Sequence, residues 1–450
     1  MTTVSGSTAQ TPNKLSIAYF RTAIRKLVSS ESISKGACAI MDQAVTSAGR
    51  FISTILVGRA CGVEGLGLYS LGISVAMITL AAQHSLITAP YTVYLHKRSS
   101  QRERSSYAGS MLIAWLTLAC VIGTLFLTTS ATIPHLHADS TYTKLFAVLA
   151  LGVPALLLRE FARQLTFANS QFKTALLFDS VTAFLQVIAL LILTTTNRLS
   201  PIGAWWAIIS VYSLTSAVWL LHRRGSINLR YSEFWSDLKQ NWSIGRWDLA
   251  SNVFMTSQLY LMHWCLAWSV GVQETGVYAA CATVLLFANP LVMGISNFIM
   301  PMISRTLCND GLQAMTRVVL RATLVLGTIM LSFSAVAILM GPMILQILFQ
   351  IDSNNTHRIV IALLAANATI GAFGIAPEWA LLALEKPQVT FRAACIGLAT
   401  TGLAAVTMIQ AWGVVGAALG LLLGTLLSVS YIWMAYRLVL QDDRESRGHS

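Results

Sequence analysis

Long apolar stretches recur along almost the whole chain, near residues 37–58, 66–90, 108–130, 144–162, 174–196, 202–221, 246–268, 276–300, 318–340, 358–383, 390–410 and 413–436. Each is close to the ~20 residues that a helix needs to cross the hydrocarbon of a bilayer. Runs such as Ala183 to Thr194 are apolar without alternation, whereas a strand of a transmembrane barrel alternates between lipid and lumen. The pattern therefore predicts an all-α protein with twelve transmembrane helices. The longest connections, around 91–107, 222–245 and 301–317, are too short to hold a soluble catalytic domain. That disfavours large-loop enzymes, including a glycan polymerase or ligase.

The twelve stretches form two sets of six. Gly62-Val63-Glu64-Gly65-Leu66-Gly67-Leu68-Tyr69 recurs as Gly271-Val272-Gln273-Glu274-Thr275-Gly276-Val277-Tyr278, at an offset of 209 residues. Gly203-Ala204 and Arg224 recur as Gly416-Ala417 and Arg437 at an offset of 213, a drift that a small insertion produces. Six spans per copy is an even number, so both copies run in the same direction and are parallel repeats, an arrangement that places a substrate site between them. The expected organisation is a cytoplasmic segment over 1–35, a six-helix bundle over 36–221, a linker over 222–245, a second six-helix bundle over 246–437 and a polar tail over 438–450. Within the first segment, Leu15 to Val28 suits either an amphipathic helix on an anionic membrane surface or an unstructured basic tail. The start carries no secretory signal pattern.

Composition agrees with this class: 55% of the 450 residues are hydrophobic and only 11% are charged, and the mean hydropathy is +0.65. Basic residues fix a predicted topology, because Lys and Arg accumulate in cytoplasmic loops. With the N-terminus inside, 25 of the 30 fall on the cytoplasmic side, while Arg59, Lys144, Arg198 and Arg358 fall outside and Arg50 lies within a span. Both termini are then cytoplasmic. The net charge of +12 reads as a topology signal plus attraction to anionic lipids, with no support for nucleic-acid binding. Seven scattered cysteines without CxxC spacing read as packing residues. His135 and His137, with Asp139 nearby, lack the ligands of a metal site. No P-loop, GxSxG or HExxH appears, so neither ATP hydrolysis nor hydrolase chemistry is expected, and no cofactor is implied.

Charge inside the membrane is informative because a charged side chain at the bilayer centre costs about 2.5–3.5 kcal/mol on insertion scales. Arg50 sits near the middle of the first span, and at helical spacing Asp42, Thr46, Arg50 and Ser53 share its face. That face either looks into a central cavity or pairs Arg50 with Asp42 or with Asp179 on the fifth span. On the seventh span Asp248, Ser251, Asn252, Gln258 and His263 stand along one side, Gln258 deep and Arg246 with Asp248 near the cytoplasmic end. His263 titrates near physiological pH if it is accessible, although a packed, hydrogen-bonded histidine is the commoner case. Arg159, Glu160, Arg163 and Asp179 gather around the fourth and fifth spans, where the simplest reading puts them at the cytoplasmic interface. Gly371-Ala372-Phe373-Gly374 followed by Pro377-Glu378 interrupts the tenth span, and its freed carbonyl calls for a polar partner, as at a hinge beside a cavity.

The run Leu56-Val57-Gly58-Arg59-Ala60-Cys61-Gly62-Val63-Glu64-Gly65-Leu66-Gly67-Leu68-Tyr69-Ser70-Leu71 resembles the segment after the first span of polysaccharide-type flippases, the O-antigen and exopolysaccharide exporters of the multidrug/oligosaccharidyl-lipid/polysaccharide superfamily. Gly276-Val277-Tyr278-Ala279-Ala280, and Phe172-Lys173 with Phe178-Asp179, are similar too. The resemblance implies a V-shaped, MATE-like transporter of the bacterial inner membrane that moves an undecaprenyl-pyrophosphate-linked oligosaccharide. A glycan polymerase or export machinery is then the expected partner. Arginine offers a planar fork of donors for phosphate, which makes Arg50 the leading anion-binding candidate, with Arg163 and Arg246 on the cytoplasmic approach and Asn252 and Gln258 in the cavity. Asp42, Asp248, His263 and Glu378 are the candidates for ion coupling. Drug exporters of the same superfamily carry an acidic residue in the first span, so a cation-coupled multidrug exporter is the alternative.

Overall fold

A computed structural model describes residues 30–136, 140–229, 231–352 and 354–448. The expected interfacial helix over 15–28, together with His137 and Asp139, lies outside the described residues. Among the described residues every regular element is helical. Helix α1, Ser30–Gln83, carries the first two spans and turns at Gly62, whose φ of 70° is a conformation open to glycine because it lacks a Cβ. It continues through a π-helical turn, His84–Thr88, into α2, Ala89–Leu95, with Pro90 at its start. Then come α3 (Gln101–Thr132), α4 (Ser140–Ala168), α5 (Phe172–Thr195) and α6 (Pro201–Arg223). The second half comprises α7 (Tyr231–Ser269), α8 (Val272–Leu285), α9 (Asn289–Phe349), α10 (Asn355–Ala383) and α11 (Pro387–Gly448). Turns inside α9 at Gly311 and inside α11 at Gly413 divide each of these helices in two.

Among the described residues eight helical runs are long and apolar enough to cross a membrane by length and composition. Helix α7 is not among them, because Arg246, Asp248, Asn252, Gln258 and His263 lower its hydropathy. It is 39 residues long, about 58 Å at 1.5 Å per residue, well beyond the hydrocarbon thickness. The predicted linker is largely its first part. Residues 231–245 dock on the first half: Arg98 pairs with Asp237 at 2.7 Å, and the Tyr107 hydroxyl donates to Asn241 at 2.7 Å in a buried setting. At the other end of the chain α11 runs on as helix through the predicted tail to Gly448.

Helix starts follow the chemistry of unsatisfied backbone N–H groups. The Ser100 hydroxyl accepts from the Glu103 N–H at 3.1 Å, the Ser200 hydroxyl from Gly203 at 3.0 Å, and the Asn354 side chain from His357 at 2.9 Å. Inside α10, Pro377 has no N–H for the Phe373 carbonyl. The Trp433 indole of α11 donates to that carbonyl at 3.0 Å, so the interrupted span is pinned to its neighbour by a side chain instead of opening its carbonyl onto a polar cavity.

The largest buried core is shared by both halves. It joins Val57, Leu66, Tyr69 and Trp205 of the first to Met262, Leu266, Tyr278, Val360 and Val414 of the second. Two further clusters share no residue. One surrounds Tyr91, Tyr107, Phe161 and Trp219, the other Ile303, Met315, Leu381 and Tyr436. The shared core lies at the span ends predicted to face outward, and the separate ones at the ends predicted to face the cytoplasm.

Candidate functional site

Three helices of the first half bring five ionisable side chains together. Arg163 of α4 donates from Nη2 to Asp42 of α1 at 2.8 Å and from Nε to Asp179 of α5 at 2.7 Å. Its Nη1 lies 3.2 Å from Glu160, one turn back on α4. Arg159 pairs with Asp179 at 2.5 Å and with Glu160 at 3.2 Å, and stacks 5.6 Å from the Tyr212 ring. The Asp42 and Asp179 side chains are fully buried. Burying single charges would be prohibitive, and pairing with added hydrogen bonds is what makes the arrangement tolerable. Three carboxylates face two guanidiniums, and Asp42 Oδ1 and Arg159 Nε lack a hydrogen-bond partner among the described residues. Below this network α1 and α5 approach closely: Gly49 lies against Ala183, and Gln186 donates to Ser53 at 2.7 Å.

These contacts give Arg159, Glu160, Arg163 and Asp179 partners on three helices of the first half. They also decide the fate of Arg50. Asp42 and Asp179, the two acids that would have sealed it, are taken by Arg163 and Arg159. Arg50 is exposed on α1 and makes no hydrogen bond or ion pair through its guanidinium among the described residues. Its neighbour Phe51 meets Phe287 of the second half at 4.6 Å between ring centroids.

The second-half candidates do not come together. Arg246 is exposed and lies 5.7 Å from the Trp247 ring. Asp248 is half-buried, with Oδ2 unpartnered among the described residues. Asn252 donates to Ser85 of the π-helical turn at 3.2 Å, bridging the halves. Gln258 is buried between α7 and α11, where its amide lies against Gly397 and Gly424 and donates to Thr425 at 3.4 Å. His263 is buried between Tyr260 and Tyr278, with ring centroids 5.6 and 5.0 Å away. Glu378 is half-buried on α10 and makes no ion pair among the described residues.

Sequence reasoning passed over Tyr212, whose ring stacks with Arg159, because tyrosine in an apolar span reads as packing. The five-charge network had a fainter signal: Arg159, Glu160 and Arg163 at one-turn spacing on a single span, with an unpaired Asp179 on the next.

No family model matches the chain, and no curated protein matches it. Solved structures do match. An inward-facing multidrug resistance MATE family transporter of the MOP superfamily aligns with a TM-score of 0.74 at 15% identity, covering 90% of this chain and 99% of the other. An outward-facing one aligns with a TM-score of 0.64 at 13% identity, covering 92% and 96%. A MOP superfamily transporter from Pyrococcus furiosus, described as having a binding pocket of reverse polarity that suggests a different function, aligns with a TM-score of 0.66 at 13% identity, covering 91% and 95%. The chain therefore has the fold of these transporters, an all-α membrane architecture of two six-helix bundles.

Proposed function

We propose that this protein is a flippase of the bacterial inner membrane, with both termini cytoplasmic, that carries an undecaprenyl-pyrophosphate-linked oligosaccharide outward by alternating access. The observation that carries the reading is the contrast between two arginines. Arg163 is saturated by carboxylates, whereas Arg50, at the middle of a span, is exposed and unpaired among the described residues. A mid-membrane guanidinium without a counter-ion is expensive unless a wet passage or an anionic ligand compensates it, and its donor fork matches phosphate oxygens. The glycan headgroup would pass between the halves while the lipid tail stays in the bilayer. An inside-negative potential favours outward movement of an anion by about 2.3 kcal/mol per charge per 100 mV, so export needs no nucleotide. The engaged Arg163 serves here as scaffold, and the exposed Arg246 as the cytoplasmic contact.

A cation-coupled drug exporter is the second reading. It is favoured by the excess of carboxylates over guanidiniums around Asp42, one oxygen of which has no hydrogen-bond partner among the described residues. Deleting the gene and analysing lipid-linked intermediates separates the two. The flippase reading expects undecaprenyl-linked glycan to accumulate on the inner leaflet and surface polysaccharide to disappear. Unchanged glycans with raised sensitivity to organic cations would replace it with the exporter.

A further inference from the structure

The repeated phrase does more than mark a duplication. Gly62 and Gly271 occupy the same place in the two copies, and both have positive φ, 70° and 119°, so the same backbone turn is built twice. Five residues on, Gly67 and Gly276 also correspond. A Cβ added to Gly67 would overlap the Val272 carbonyl oxygen, and one added to Gly276 would overlap the Val63 carbonyl oxygen. Val63 and Val272 are themselves equivalent positions. Each copy thus lays its glycine on the carbonyl of the other, the reciprocity of a two-fold interface realised inside one chain.

Other groups close the same seam. The Trp264 indole donates to Ser74 across the halves at 2.7 Å, and its ring lies 5.8 Å from Phe146. The Arg59 guanidinium caps the end of α9 through the Leu348 carbonyl at 2.9 Å and the Ile347 carbonyl. Leu66, Tyr69, Met262 and Tyr278 are buried around it. We infer that this reciprocal glycine seam is the outer gate: a latch at the predicted outer ends of the first, second, seventh and eighth spans, which must part for the gap to open outward. Backbone resting on backbone suits that task. Glycine on carbonyl makes a close contact with no interlocking side chain to unpack, so the seam has two arrangements, closed or parted, as a two-state element needs. The latch is independent of the transported species and holds under either reading of the function.

The test places spin labels at two exposed outer positions, Asn197→Cys in the first half and Asn355→Cys in the second, in the full chain with its seven native cysteines replaced by serine, and reads the distance distribution in lipid nanodiscs. In the parent one short distance should dominate. Gly67→Ala over-packs the closed seam, and a cost of about 1 kcal/mol raises the long-distance population about fivefold. Gly276→Ala should do the same, by reciprocity, and the double variant more. Gly402→Ala, whose Cβ would meet nothing nearer than Leu261 at 3.7 Å, should leave the distribution unchanged. If the seam variants do not fold, Ser74→Ala decides: it removes the Trp264 hydrogen bond without adding bulk and should shift the population the same way by a smaller factor. An unmoved distribution in both glycine variants, or in Ser74→Ala where these fail to fold, would overturn the proposal. So would opening by Gly67→Ala without Gly276→Ala, or an equal shift in Gly402→Ala.

Discussion

The first half gathers Asp42, Arg159, Glu160, Arg163 and Asp179 from three helices into one network, whereas the second leaves Asp248, His263 and Glu378 apart on α7 and α10. Yet the halves match in their frame: the same turn at Gly62 and Gly271 and reciprocal glycines at the seam. Duplication has kept what backbone geometry requires and let the ionisable chemistry diverge. In the first half the charges tie helices together and spare one arginine. In the second they stand singly, so each can be altered without orphaning a partner.

That difference is breakable by substitution. Arg163→Ala leaves Asp42 and Asp179 buried with fewer counter-charges and should cost about 3–5 kcal/mol, read as lost stability in denaturant titration. Glu378→Gln, which removes a charge without an ion partner among the described residues, should cost under about 1 kcal/mol or stabilise. Equal losses for the two would dissolve the contrast. A smaller effect tests the pinned span: Trp433→Phe keeps a ring but deprives the Phe373 carbonyl of its donor, for about 1–2 kcal/mol. Helix starts give a comparable effect: Ser200→Ala and Asn354→Ala should each cost about 1 kcal/mol in the same titration, and no loss in either would show that the caps do not hold these helix ends. Smallest in stability is Arg50→Ala, within about 0.5 kcal/mol, as for a side chain without a pairing partner among the described residues.

Much of the fold was legible because membrane helices announce themselves by length and apolarity, and because the Gly-Val phrase fixed where two of the turns fall. The first part of α7 was not legible. Residues 222–245 are polar enough to read as a loop, and the partners of Asp237 and Asn241 sit more than 130 residues earlier at Arg98 and Tyr107. The candidate site was legible in its residue types and not in its pairing. Asp42 lies eight residues from Arg50 on one face, about 12 Å along a helix, too far for an easy ion pair, while Arg163 reaches it from another helix altogether. Gln258 looked like a cavity residue because depth and polarity suggested one. Glycines at 397 and 424 make room for it between helices instead, and nothing local in the sequence connects those positions.

The anion route is tested most directly by transport with Arg50 variants reconstituted into liposomes with an inside-negative potential, using a fluorescent undecaprenyl-pyrophosphate glycan and scoring movement between leaflets. Arg50→Ala should lose at least about tenfold in rate, a difference of about 1.4 kcal/mol, Arg50→Lys should keep part of it, and both should fold as the parent does. Full-rate movement by Arg50→Ala would contradict the anion route through the gap.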